Sequence, residues 1–119
     1  MALDYTQPID IDIESERINV NEIPENIRST HRFLLKFISI AEYSIDVDCT
    51  IFLYYKQLND ETEFTLNYTL SKDETRFKCK LPLGINCREW RIRIIGTGLT
   101  EAEFAACEVL WLPRRIGDR

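Results

Sequence analysis

The feature that most constrains this chain is a two-residue alternation of apolar and polar side chains that recurs almost from end to end, with no helical stripe of useful length. In "PIDIDIE", Ile9, Ile11 and Ile13 fall on one side and Asp10, Asp12 and Glu14 on the other. Successive side chains of a strand point to opposite faces, so this reads as a half-buried strand with an acidic outer face. Two β-branched and aromatic runs follow, "THRFLLKFISI" and "YSIDVDCTIFLYY", separated by a short turn at Ala41 and Glu42. The second sends Ile45, Val47, Cys49, Ile51 and Leu53 one way, and Asp46, Asp48 and Thr50 the other. In the first, the core set is either Phe33, Leu35 and Phe37 or Leu34 and Ile38, and "RFLLKF" leaves both frames open.

Further along, "EFTLNYTL" alternates Phe64, Leu66, Tyr68 and Leu70 with polar residues, and "SKDE" is expected to reverse it into "TRFKCKLP" as a hairpin. "LGIN" supplies the next turn, with Gly84 suited to a positive φ. "REWRIRIIG" then opposes Trp90, Ile92 and Ile94 to Arg91 and Arg93, and "GTG" frees the chain to return. The last strand, "EFAACEVLWL", is expected to end at Pro113, which cannot donate to a ladder, so that Arg114 and Arg115 leave the sheet. Strands at roughly ten-residue spacing joined by polar turns predict an all-β fold, an antiparallel β-sandwich of about six to eight strands. A length of 119 residues suits one domain spanning 1–119. The polar, proline-bearing "NVNEIPENIRST" reads as a crossing loop, and residues 1–20 as an extended amino-terminal arm or edge strand.

Chemistry-bearing patterns are scarce. Cys49, Cys79, Cys87 and Cys107 make no CxxC knuckle, so no metal is expected. Cys49 and Cys79 share the parity of apolar neighbours and read as buried thiols, Cys87 as the accessible one in a turn, and a Cys79 to Cys87 bridge across the expected hairpin stays open. His31 is the single histidine and has no nucleophile motif near it. Asp10 with Asp12, and Asp46 with Asp48, lie at i and i+2 on polar strand faces, where solvated carboxylates are ordinary. No phosphate loop occurs, since "GTG" lacks a lysine and a following helix. The expectation is a non-enzymatic protein without cofactors.

The net charge of −5 is unevenly spread: residues 1–75 carry 6 basic and 15 acidic side chains, and residues 76–119 carry 9 and 5. Such polarity can set identical subunits head to tail. Were 75–82 and 88–95 adjacent strands, Arg76, Lys78, Lys80, Arg91 and Arg93 would share one basic face. The chain carries no nucleic-acid-binding motif, so an acidic protein surface, such as the "DIDIE" strand of a neighbouring copy, suits those charges better than direct nucleic-acid contact. The amino terminus has neither the basic start nor the apolar centre of a secretory signal, and no apolar run reaches membrane-spanning length, so a cytoplasmic protein without a membrane partner is expected.

The segment "FKCKLPLGINCREWRIRIIGTGLTEAEFAACEVLWLPRR" resembles the β-sandwich domains of tailed-bacteriophage neck and tail proteins, in a Leu-Pro turn at Leu81 and Pro82, a tryptophan-bearing strand over Trp90–Gly96, and a last strand over Val109–Arg115. The resemblance covers about 40 residues. It implies a virion structural subunit, made in the host cytoplasm, whose partners are other copies of itself and neighbouring virion proteins. The expected contact residues are Arg91, Arg93, Trp111, Arg114 and Arg115. Rival readings are a carbohydrate- or protein-binding module using Phe52, Tyr54 and Tyr55 as an aromatic platform, and a small inhibitor of a host enzyme whose acidic half mimics nucleic acid.

Overall fold

The computed structural model describes residues 8–19, 25–28, 31–57, 60–81 and 87–115. Their elements are β1 (Ile9–Glu14), β2 (Ile18–Asn19), the single helical turn α1 (Glu25–Arg28), β3 (His31–Ile40), β4 (Tyr43–Ile45), β5 (Cys49–Gln57), β6 (Glu63–Leu70), β7 (Phe77–Lys80), β8 (Cys87–Leu99), β9 (Ala102–Phe104) and β10 (Cys107–Arg115). Every strand pairing among them is antiparallel. The fold is all-β and antiparallel, as the alternation predicts. Sheet A has the order β1-β8-β5-β6 with β2 also on β8, sheet B the order β10-β3-β7, and β4 with β9 forms a small third ladder.

One apolar cluster draws on both larger sheets. Leu35, Ile38 and Ile40 of β3 join Cys49, Ile51 and Leu53 of β5, Leu70 of β6, and Ile92 and Ile94 of β8, all essentially buried. The expected inward set of the second run is the buried one: Ile45, Cys49, Ile51 and Leu53 are buried and Val47 half-buried. The run is nevertheless cut at Asp46–Asp48, because both carboxylates turn back to hold loops. Asp46 accepts from the Thr100 and Glu101 amides, each at 2.9 Å, and Asp48 accepts from the Lys72 amide at 2.7 Å.

The two frames left open in "RFLLKF" have a local cause. Across the β3–β10 ladder, Leu110 pairs with Phe37 but Trp111 with Leu35, so Lys36 is an extra residue. Its carbonyl accepts from the Leu81 amide at 2.8 Å instead. A bulge of one residue exchanges the faces. Leu35 is therefore buried before it, and Ile38 and Ile40 after it.

Several expectations are corrected. "SKDE" does not close a hairpin: β6 belongs to sheet A and β7 to sheet B, so the segment carries the chain from one sheet to the other. For the same reason β7 and β8 are not neighbours, and Arg76, Lys78 and Lys80 do not share a face with Arg91 and Arg93. Nor does pairing stop at Pro113, which lies opposite Phe33, with Arg114 opposite Arg32 and Arg115 opposite His31. Because β10 pairs among the described residues with β3 alone, a missing N–H on its other side removes no ladder bond. The expected last strand is two: β9 pairs with β4, the Ala105 amide turns to the Glu42 carbonyl at 2.8 Å, and β10 begins at Cys107. Cys87 is 2% exposed rather than accessible, while Cys107 is exposed and all four thiols are free. The Gly84 turn and residues 1–7 lie outside the described residues.

Candidate functional site

The outer face of sheet A is built by β8 and its neighbours. On β8 the alternation puts Ile92 and Ile94 into the core and Arg91 and Arg93 on the opposite face. Beside it, β1 lies at the edge of the sheet, with Ile13 opposite Ile94 and Glu14 opposite Arg93. The "DIDIE" carboxylates therefore meet the arginines of their own chain. Arg93 Nε donates to Asp12 Oδ1 at 2.7 Å, and Arg91 donates to Glu14 and, at 3.2 Å, to Glu63 of β6. The Arg91 guanidinium also lies 4.1 Å from the Tyr54 ring centroid, and Tyr54 stacks on Phe52 at 6.0 Å.

The network continues toward β2. Glu89, only 8% exposed, takes Lys56 Nζ at 3.1 Å and Arg17 at 3.3 Å, and Arg17 reaches Glu63 at 3.7 Å. Four carboxylates and four cations thus interleave on one face. The bond from Arg93 holds the Asp12 carboxyl below its ordinary value, and the same bond raises Arg93. Partial burial pulls Arg91 down, yet its bonds to Glu63 and Glu14 win and raise it. Exposed ion pairs are individually weak because water screens them, so the face is held by their number. The sequence halves are not spatial halves: the acidic early strands and the basic late strand neutralise each other here.

Under the same edge lies an apolar cleft of about 230 Å³ lined by Ile13, Ile18, Trp90, Ile92, Ile94 and Val109. It forms where β1 and β8 of sheet A approach the start of β10. Trp90 is on the inward face as expected, half-buried, and Ile13 beside it is 49% exposed.

The expected contact residues separate into two places. Arg91 and Arg93 are engaged within the chain on sheet A. Trp111, Arg114 and Arg115 lie on β10 of sheet B, where only their backbone register is described. That register adds two residues that sequence reasoning missed as a group: His31 and Arg32, directly across from Arg115 and Arg114. Knowledge that the first and last long strands pair would have found them. The aromatic platform is not assembled, because Tyr55 is buried on the inner face while Phe52 and Tyr54 lie on the outer one. Asp10 accepts from the Gly98 amide at 3.0 Å, and Asp46 holds the Thr100 turn. Among the described residues no group of three or more acidic, histidine or cysteine side chains is placed to hold a metal ion, and no helix is long and apolar enough to cross a membrane.

Comparison with protein-family models, curated proteins and solved structures finds no match to this chain.

Proposed function

We propose that this chain is a non-enzymatic structural subunit of a tailed-bacteriophage virion, made in the host cytoplasm, acting in the neck or tail by protein–protein contacts. The observation that carries the contact reading is the set of open strand edges. β1 and β6 end sheet A, β10 and β7 end sheet B, and none pairs with a further strand among the described residues. An open edge presents unpaired N–H and C=O groups, a ready template for another chain. On β1 that edge also carries Ile9 at 52% and Ile13 at 49% exposure, apolar surface that a partner would cover.

A second feature favours an acidic neighbour at β10. The backbone register brings Arg114 and Arg115 level with Arg32 and His31, so basic residue types gather at that end of the ladder, a composition an acidic neighbour would suit. The place in the neck or tail rests on the resemblance of the segment from Phe77 to Arg115.

Quantitative peptide mass spectrometry of purified particles tests the reading. A fixed ratio of this chain to a ring-forming virion protein is the expected result; its absence from particles sinks the assignment. Reversal of both arginines, Arg114→Glu with Arg115→Glu, is expected to leave the fold intact and stop incorporation. Normal particles from that variant remove β10 from the contact.

A further inference from the structure

Resting on the reading of this chain as an assembling subunit, we infer that the partner of edge strand β1 is edge strand β7 of a second copy, joined as a continued antiparallel sheet. The two edges carry opposite charge on the same period. β1 presents Asp10, Asp12 and Glu14 outward, and Asp12 and Glu14 keep 52% and 44% of their side-chain surface although each already meets an arginine. β7 and the residue before it present Arg76, Lys78 and Lys80, all exposed. None of these three forms an ion pair among the described residues, whereas Arg17, Lys56, Arg88, Arg91 and Arg93 all do. Lys78 lies only over the Phe37 ring, at 4.8 Å.

One register satisfies the whole overlap. With Lys78 opposite Asp12, antiparallel geometry sets Arg76 opposite Glu14 and Lys80 opposite Asp10. The intervening residues then match as well: Ile13 meets Phe77 and Ile11 meets Cys79, so half-exposed apolar groups pair on the inner side. Across the join, the charges of β8, β1 and the incoming β7 alternate positive, negative, positive.

Self-pairing of either edge is disfavoured, because β1 on β1 opposes carboxylates and β7 on β7 opposes cations. The contact is therefore heterologous, and the fold places its two halves apart. The Tyr68 ring of β6 lies 6.2 Å from the Phe77 ring of β7, so those two edges meet at one side of the molecule, while the cleft shared by Ile13 and Val109 brings β1 and β10 together at the other. A subunit with complementary edges on opposite sides propagates from copy to copy, closing into a ring or continuing as a filament.

The test uses the full chain and two charge-reversed forms, Lys78→Glu with Lys80→Glu, and Asp10→Lys with Asp12→Lys. Sedimentation at low salt is expected to show self-association of the unmodified chain and its weakening by about tenfold or more in each variant alone, with recovery when the two variants are mixed. A monomeric unmodified chain, variants that associate as well as it does, or a mixture that fails to recover overturns the inference. Should the β1 variant not fold, carbodiimide coupling of an equimolar mixture of ¹⁴N and ¹⁵N unmodified chains decides. Isotopically mixed amides joining Lys78 or Lys80 to Asp10 or Asp12 are expected, and mixed amides confined to other sites overturn it. Copies that stay monomeric while the chain is present in particles defeat this inference alone; copies that pair while the chain is absent from particles defeat the virion reading alone.

Discussion

Single atoms decide the fate of the "GTG" segment. A Cβ on Gly96 would stand 2.6 Å from Cys49 Sγ and 2.8 Å from Leu99 Cδ1, and both neighbours are core residues, 2% and 0% exposed. Neither can retreat without moving the core. Gly96→Ala should therefore destabilise the protein by about 1–3 kcal/mol in denaturant unfolding. The effect should shrink on a Cys49→Ala background, where the closer clash is gone; equal losses in both backgrounds would show that the Sγ contact is not the cause. Gly98 serves differently: its φ of 71° is a left-handed conformation with open space around the Cβ position, so a side chain there meets backbone strain rather than neighbours. Cys87 shows the same scale of control, since burial pushes its thiol up to about 12 and leaves it protonated, with Sγ 3.1 Å from the Glu89 carbonyl.

At the scale of the element, β1 is attached mainly by its ladder and its charges, since Ile11 is the one residue of the strand that is half-buried and the rest are exposed. The bond from Arg93 lowers Asp12 below 3.8, so the carboxylate contribution is complete above that value and is lost as pH falls through the depressed folded-state value. Carbon-detected NMR of the carboxyl should find Asp12 titrating below 3.8, and Asp46 likewise, because the Thr100 hydroxyl and Glu101 amide bond its charged form. Titration of Asp12 at or above its ordinary value would mean that the Arg93 pair does not form in solution. How legible such elements were depended on whether the cue was local. Alternation located β1, β5, β6 and β8 and their faces, because the period of two is a property of each strand alone. It failed at Lys36, where the partner strand decides whether an extra residue is accommodated, and at "SKDE", where a polar turn looks the same whether the next strand pairs or crosses to another sheet. Pro113 misled for a related reason: whether its missing N–H matters depends on which side of β10 is open. The expected contact residues were legible as residue types only. Arg91 and Arg93 were rightly read as outward, but that their partners are Asp12, Glu14 and Glu63 is a fact of strand order.

For the whole molecule, the decisive property is that sheets A and B bury their side chains in one cluster, with Ile51 and Leu53 of β5 and Ile38 of β3 all 0% exposed. A chain whose two sheets share a core cannot lose one and keep the other's apolar face dry, so unfolding should be a single cooperative transition. The sequence supplies a reporter for each sheet, Trp90 on β8 and Trp111 on β10. Fluorescence of the two single-tryptophan forms, Trp90→Phe and Trp111→Phe, should give coincident fractional curves once each is scaled to its own midpoint, with the same denaturant slope. Truncating the core at Ile51→Ala should then shift both reporters together, by about 2–5 kcal/mol, although the substitution lies in sheet A alone. If Trp111 instead kept its native transition while Trp90 lost it, sheet B would be stable by itself, and β10 would be free to meet a partner without β8 in place. Joint movement ties the two faces of the proposed assembly contact: β1 depends on β8, β7 on β3, and both on the same buried residues, so a copy can offer its acidic edge only when its basic edge is also formed.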